Sequence, residues 1–256
     1  MKTLVFGDIH GRLCWEKIVN KEKPDLTIFL GDYVSTHDDI SSEQQISNLE
    51  NILKYKENNS DKVILLRGNH DMQHLGYYWA RCTGLDLTVQ KYMMNIKDRF
   101  LNLTQWVYVQ NDIVFSHAGV SEVWMKNVGL EDVNQINELE PSEYFAFWPC
   151  KLSDYSGDSA TQPPTWIRPW TLISHAFKDY TYIIGHTCIN YYNPQVVYLN
   201  DNCIESYKSS YTFDENDEYC KSIIDKYKNA NSIWCCDALP YEYITIENDV
   251  INIIKN

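Results

Sequence analysis

A chain of 256 residues, 44% hydrophobic and 22% charged, falls in the globular range, which excludes disordered and fibrous architectures. Its 22 Lys+Arg against 35 Asp+Glu give a net charge of −13, which argues against stable binding to a nucleic-acid backbone. No apolar run is long enough to span a bilayer and residues 1–8 carry no signal-peptide pattern, so the expectation is a cytoplasmic protein with no membrane partner.

The chain opens with an apolar strand, Leu4-Val5-Phe6, that ends in Gly7-Asp8-Ile9-His10-Gly11. A helix follows with Trp15, Ile18 and Val19 on one face. A second strand, Leu26 to Leu30, ends in Gly31-Asp32-Tyr33-Val34. Residues 42–56 place Ile46, Leu49, Ile52 and Leu53 at helical spacing, and Ser41 with Gln44 fits a capping box. A third strand, Val63 to Leu66, ends in Arg67-Gly68-Asn69-His70-Asp71. Strands alternating with helices predict a parallel sheet, and ligands of such sheets gather at the carboxyl ends of the strands.

Beyond a helical region around 85–101, Trp106–Val109 and Ile113–Phe115 flank a Gln110-Asn111-Asp112 turn and read as a hairpin. Its second strand runs into Ser116-His117-Ala118-Gly119. Residues 121–165, broken by Pro141, Pro149 and Pro163-Pro164, read as a lid inserted at the rim. Strands resume at Tyr180–Ile184, ending in Gly185-His186-Thr187, then at 196–199 and 203–207 around an Asn-Asp-Asn turn. The C-terminus alternates as a hairpin, 243–246 and 250–254. The eight cysteines form no Cys-x-x-Cys pair and read as reduced thiols, and adjacent Cys235 and Cys236 on a strand would face opposite ways. The expected architecture is one domain over 1–256, with two packed mixed sheets and helices outside.

Five strand ends thus carry carboxylate, imidazole or amide groups, each with a glycine close by: Asp8 and His10, Asp32, Asn69 and His70, His117, and His186. A lone Gly-Asp or a lone histidine after a strand is usually a turn or a satisfied polar residue. Five at one sheet edge point instead to a centre for divalent cations, for which these hard and borderline donors suit Mn²⁺, Fe or Zn²⁺. His74, His175 and Asp237 lie outside these motifs and read as packing or structural residues.

The set of motifs resembles the calcineurin-like metallophosphoesterase family. Within it the chain is most similar to the branch of serine/threonine protein phosphatases, bacterial and phage phosphatases and symmetrical diadenosine polyphosphate hydrolases. The resemblance implies a four-layer α/β sandwich and two divalent ions, Mn²⁺ foremost. Asp8 and His10 would hold the first, Asn69, His117 and His186 the second, and Asp32 would bridge both. It implies attack by a metal-bridging hydroxide, His70 as general acid, and Arg168, in Trp166-Ile167-Arg168-Pro169, with Asn69 on the substrate phosphate. Two departures stand out. Where those phosphatases continue Gly-Asp-x-Val-Asp-Arg-Gly, this chain reads Gly31-Asp32-Tyr33-Val34-Ser35-Thr36-His37. Ser35 thus replaces the aspartate that orients the general acid, and Thr36 replaces a phosphate-binding arginine. Asp71 stands where those phosphatases have Glu, and Arg12, His37 or Asp38 are the neighbours that could compensate.

The expected activity is phosphomonoester hydrolysis on a phosphoprotein or small phosphorylated substrate. The alternatives are phosphoanhydride or phosphodiester hydrolysis of dinucleotide polyphosphates or cyclic nucleotides, and a non-catalytic binding module of the same fold.

Overall fold

The structure is a computed structural model, described over residues 1–36, 38–148, 159–188, 197–199, 233–237 and 239–256. Among the described residues, two five-stranded mixed sheets carry helices on their outer sides. The first sheet comprises β1 (Lys2–Phe6), β2 (Leu26–Phe29), β3 (Val63–Leu65), and a C-terminal hairpin of β9 (Glu242–Glu247) and β10 (Val250–Lys255). Its order is β10-β9-β1-β2-β3, with β1, β2 and β3 parallel and the hairpin antiparallel. The second comprises β4 (Val107–Gln110), β5 (Ile113–Ser116), β6 (Thr181–Ile184), β7 (Val197–Leu199) and β8 (Ile233–Cys235), in the order β4-β5-β6-β8-β7. There β5, β6 and β8 run parallel.

Strand alternation builds the layers. Val5, Ile28, Phe115, Ile183 and Ile244 turn inward and form the core between the sheets. Their neighbours Leu4, Phe6, Phe29, Val114, Tyr182 and Tyr243 turn outward against the helices. The adjacent Cys235 and Cys236 divide in the same way, one in each core, as strand alternation predicts.

Helix α1 (Cys14–Glu22) buries Trp15 and Ile18, and α2 (Ser42–Asn58) buries Leu49, Ile52 and Leu53. At the α2 start the Ser41 hydroxyl accepts from Gln44 N at 3.2 Å. The helical region expected around 85–101 forms as two helices, α4 (Leu87–Asn95) and α5 (Lys97–Leu103), after a short α3 (Asn69–His74). Both predicted hairpins form, turning through Asn111 (φ 55°) and through Asn248 and Asp249 (φ 50° and 63°). Their side chains tolerate the left-handed region better than most.

The stretch expected to be a lid contains α6 (Glu122–Val128), a 3₁₀ turn at Val133–Glu138 and α7 (Tyr144–Phe147). Two indole N–H donors fasten this part to the rest of the fold and a third braces it internally. Trp79, Trp106 and Trp124 donate to the carbonyls of Pro141, Leu139 and Ala146 at 2.8, 3.0 and 2.7 Å. The segment 149–158, His37 and the strand expected at 203–207 lie outside the described residues. Among the described residues, no helix is long and apolar enough to cross a membrane.

Candidate metal centre

Parallel strands present their carboxyl ends together. The loops after β1, β2, β3, β5, β6 and β8 therefore meet around one cavity of about 560 Å³, whose lining includes Asp8, His10, Asp32, Asn69, His70 and His186. The sequence-predicted ligand His117 lies beneath it, fully buried.

The loops are tied to one another through the ligands. Asp8 Oδ1 accepts from His186 N at 2.8 Å, and Asp32 Oδ1 accepts from His70 N at 2.9 Å. Each carboxylate thereby spends one oxygen on the backbone of a different motif and turns the other toward histidine. Asp8 Oδ2 lies 3.6 Å from His10 Nε2, and Asp32 Oδ2 lies 3.3 Å from His117 Nε2. Glycine is required where these loops cross. A methyl group at Gly68 would fall on the Asp32 carboxylate, and one at Gly185 on that of Asp8.

The backbone is also bent into unusual conformations at the ligands. His10, Asp32 and His186 hold φ of 46°, 48° and 61°, and Ser35 holds 68°. Left-handed geometry at non-glycine residues is costly and clusters where a site is built to a fixed geometry. No sequence pattern signals it.

The tautomers of two histidines follow from their partners. His117 Nδ1 faces the Leu30 carbonyl at 3.0 Å and His10 Nδ1 faces the Val34 carbonyl at 3.2 Å, and a carbonyl can only accept. In both neutral rings the Nε2 lone pair is then directed at the carboxylates. His117 Nε2 and His186 Nδ1 also converge on the one oxygen of Asn69, at 2.9 and 3.0 Å. The His117 Nε2 lone pair and the Asn69 oxygen repel unless positive charge sits between them, whereas His186 Nδ1 can meet that oxygen as a donor or as a lone pair.

The electrostatics say the same. Burial opposes a charge on His10, but the hydrogen bond and charge of Asp8, with Asp32 and Asp237, push its pKa up to about 10. His117 is likewise driven to about 9, against burial, by Asp32 and Asp8. His186, by contrast, is held well below its ordinary value by burial and by Arg168. Its Nε2 is buried with no hydrogen-bond partner among the described residues.

The donor atoms of Asp8, His10 and Asp32 lie within 4.8 Å of one another, as do those of Asp32, His117 and His186. Asp32 belongs to both groups. Carboxylate, imidazole and amide donors, tautomers fixed by carbonyls, and converging lone pairs fit a pair of divalent cations.

Around this centre the structure places the remaining predicted residues and adds others. Arg168 lines the cavity, and its Nη1 donates to His186 O at 3.2 Å and Thr187 Oγ1 at 3.0 Å. His70 lines the cavity with its Nδ1 3.4 Å from Cys82 Sγ. Asp237, expected to be structural, lines the cavity too. Burial and the charge of Asp8 raise its carboxyl to about 7. Trp166 meets the His186 ring edge-on at 5.7 Å between centroids.

Arg12, considered for the missing clamp, is paired with Asp38 at 2.8 Å and opens onto a neighbouring cavity of about 970 Å³. Arg67 is turned away from the site. It donates to Thr104 Oγ1, Thr104 O and Leu101 O, with its guanidinium 4.6 Å from the Trp106 ring centre. Sequence reasoning missed Arg81, Cys82 and Thr83, which line the cavity from a loop that carries no motif. It also left His74 as a packing residue. His74 is fully buried and joins that loop to α3, with Nδ1 on His70 O at 2.8 Å and Nε2 on Asp86 N at 3.1 Å.

The model of the calcineurin-like phosphoesterase family matches residues 1–207. Among solved structures, a cold-active protein tyrosine phosphatase is similar over 98% of this chain and 75% of its own, with 14% identity and a TM-score of 0.58. A protein serine/threonine phosphatase from Saccharomyces cerevisiae, with similarity to human phosphatase PP5, is similar over 100% of this chain and 80% of its own, with 12% identity and a TM-score of 0.55. At such identities the likeness is one of fold. No curated protein matches the sequence.

Proposed function

The chain belongs to the calcineurin-like phosphoesterase family, and from that premise we propose a two-metal phosphomonoesterase acting on a phosphoprotein or a small phosphorylated molecule. One observation carries the reading: Asp32 is shared by two ligand groups that otherwise use different residues. When bound, a pair of divalent ions, Mn²⁺ foremost, would supply Lewis acidity to the phosphoryl oxygens and lower the pKa of bound water toward about 7.

The chain's own residues do the rest. Asp8 and His10 hold one site and Asn69, His117 and His186 the other; the His10 and His117 rings are kept in register by the carbonyls of Val34 and Leu30, and His186 by its backbone N–H on Asp8 Oδ1. Arg168, steadied by His186 O and Thr187 Oγ1, meets the equatorial phosphoryl oxygens. His70 donates its Nε2 proton to the leaving oxygen. Trp166 closes one wall of the cavity and limits water around the phosphoryl group. The two similar phosphatases are named for protein tyrosine and for protein serine/threonine, and a phosphomonoester is the substrate class these names have in common.

The test is a panel of 4-nitrophenyl phosphate, phosphoserine and phosphotyrosine peptides, a dinucleotide polyphosphate and a cyclic nucleotide. It is run on chelated protein and after restoring Mn²⁺. Turnover of the monoesters that vanishes on chelation and returns with Mn²⁺ supports the reading. Turnover confined to the dinucleotide or cyclic nucleotide overturns it.

A further inference from the structure

The second motif lacks its phosphate-binding arginine, and the structure shows that Thr36 does not substitute for it. The Thr36 hydroxyl accepts from Asp38 N at 2.9 Å in a local turn, and Thr36 is not among the residues lining the metal cavity. Arg81 is. It stands between the 3₁₀ turn Tyr78–Ala80 and α4, next to Cys82, whose sulfur meets His70, whereas Arg168 bonds the carbonyl of His186.

The loop that brings Arg81 is fixed rather than loosely draped. Cys82 N donates to Gln73 Oε1 at 2.6 Å, Gln73 Nε2 donates to Thr83 O at 3.3 Å, and Ser35 Oγ donates to Gly84 O at 2.9 Å. Ser35, at the position where relatives carry aspartate, thus anchors the loop that delivers the arginine. Four of the five arginines are spoken for: Arg12 by Asp38, Arg67 by Thr104 and Leu101, Arg99 by Glu50 and Glu57, Arg168 by His186 and Thr187. Among the described residues, the guanidinium of Arg81 has no hydrogen-bond or ion-pair partner. A guanidinium at the rim of an acidic cavity, with no partner among the described residues, is suited to a dianionic phosphoryl group.

We propose that Arg81 is the second cationic contact to the substrate phosphoryl group, in addition to Arg168, in place of the arginine that Thr36 replaces. Its role in turnover rests on the phosphomonoesterase reading, whereas its role in anion binding is measurable without it. Because Arg81 is exposed, substitution there leaves the core untouched.

The experiment compares wild type, Arg81→Ala and Arg81→Lys, all loaded with Mn²⁺ and matched for metal content and Tm. Inorganic phosphate affinity is read by calorimetry and kcat/KM is read on 4-nitrophenyl phosphate. Loss of a charge-assisted contact predicts that Arg81→Ala weakens phosphate binding about 10- to 100-fold and lowers kcat/KM by a similar factor, with Arg81→Lys between. Phosphate bound equally by wild type and Arg81→Ala overturns the assignment, whatever the turnover. Arg81-dependent phosphate binding without ester hydrolysis leaves the assignment standing and removes the phosphomonoesterase reading. Full hydrolysis by Arg81→Ala with unchanged phosphate affinity does the reverse.

Discussion

The sulfur of Cys82 lies 3.4 Å from Nδ1 of His70. Burial pushes the Cys82 thiol up to about 12, so it is an S–H group that can donate to an imidazole nitrogen. A donor at Nδ1 selects the neutral ring with its proton on Nε2, the form that burial favours; the leaving-group acid is the imidazolium, whose Nδ1–H the sulfur can accept. With serine in place of an aspartate at position 35, the His70 ring thus meets a neutral partner from another loop.

This pairing makes a prediction about leaving groups. Alkyl alcohols need a proton to depart, whereas aryl alcohols can leave as anions. His70→Ala should cut turnover of phosphoserine peptides at least about ten times more than turnover of 4-nitrophenyl phosphate. Cys82→Ala should reproduce a smaller part of that difference, and Cys82→Ser, which keeps a donor, should restore it. Equal losses on both substrates at unchanged metal content would remove His70 from the role of acid.

Asp71 holds the second and third motifs together. Its carboxylate accepts from Asp32 N and Tyr33 N at 2.8 Å each, and from Gly68 N at 2.9 Å, all buried. An amide can accept on its oxygen only, so Asp71→Asn would point an NH₂ group at one or two N–H donors. The expected cost is roughly 2–3 kcal/mol of stability, from unsatisfied buried donors. Urea denaturation should show it, along with weaker Mn²⁺ binding, since Asp32 is positioned through this carboxylate. A variant with wild-type midpoint and metal affinity would show that the shorter side chain carries no such load.

The parts of this molecule legible in the sequence are those set by local pattern. The strands ending at Gly7, Gly31 and Gly185 announce themselves by apolar runs cut off by a glycine and a donor residue, and parallel topology carries their ends to one edge. The Asn-Asp turn at 248–249 is equally local. What escaped was long-range. Nothing near Arg81 or Cys82 marks them as site residues. Their place depends on Gln73 and Ser35 gripping a loop some ten to fifty residues away. His74 looked ordinary because its partner Asp86 lies across that same loop. Asp237 reached the cavity through β8, which pairs with β6, a contact that the sequence spacing does not disclose.

A pH prediction comes from the far end of β1. Glu22 accepts from Lys2 Nζ at 2.7 Å and from the Tyr243 hydroxyl at 2.6 Å, joining β1, α1 and β9. These partners, against a small opposing effect of burial, hold its carboxyl below the ordinary 4.5. With the folded value depressed, the contribution is present above pH 4.5 and is lost as pH falls through the folded value. Glu22→Gln should therefore lower stability by about 1 kcal/mol at pH 7 and by less near pH 3. A difference between the two proteins that stays constant from pH 7 to pH 3 would refute the linkage.

Asp32→Asn tests the shared ligand directly. Asparagine can keep the bond from His70 N, because one oxygen suffices for it, while an uncharged NH₂ group turns toward the two histidine groups. The fold is therefore expected to survive, and the loss is one of charge at the point common to both sites. Wild type loaded with Mn²⁺ should hold two ions per chain. A ligand at about 100 times its Kd stabilises by roughly 2.7 kcal/mol per site, so the metal should also raise Tm measurably. In Asp32→Asn both effects should shrink together: fewer than two ions by elemental analysis, and a smaller Mn²⁺-induced rise in Tm. Two ions bound as tightly as in wild type, with an undiminished rise, would mean that Asp32 bridges nothing and that each group of ligands is complete without it.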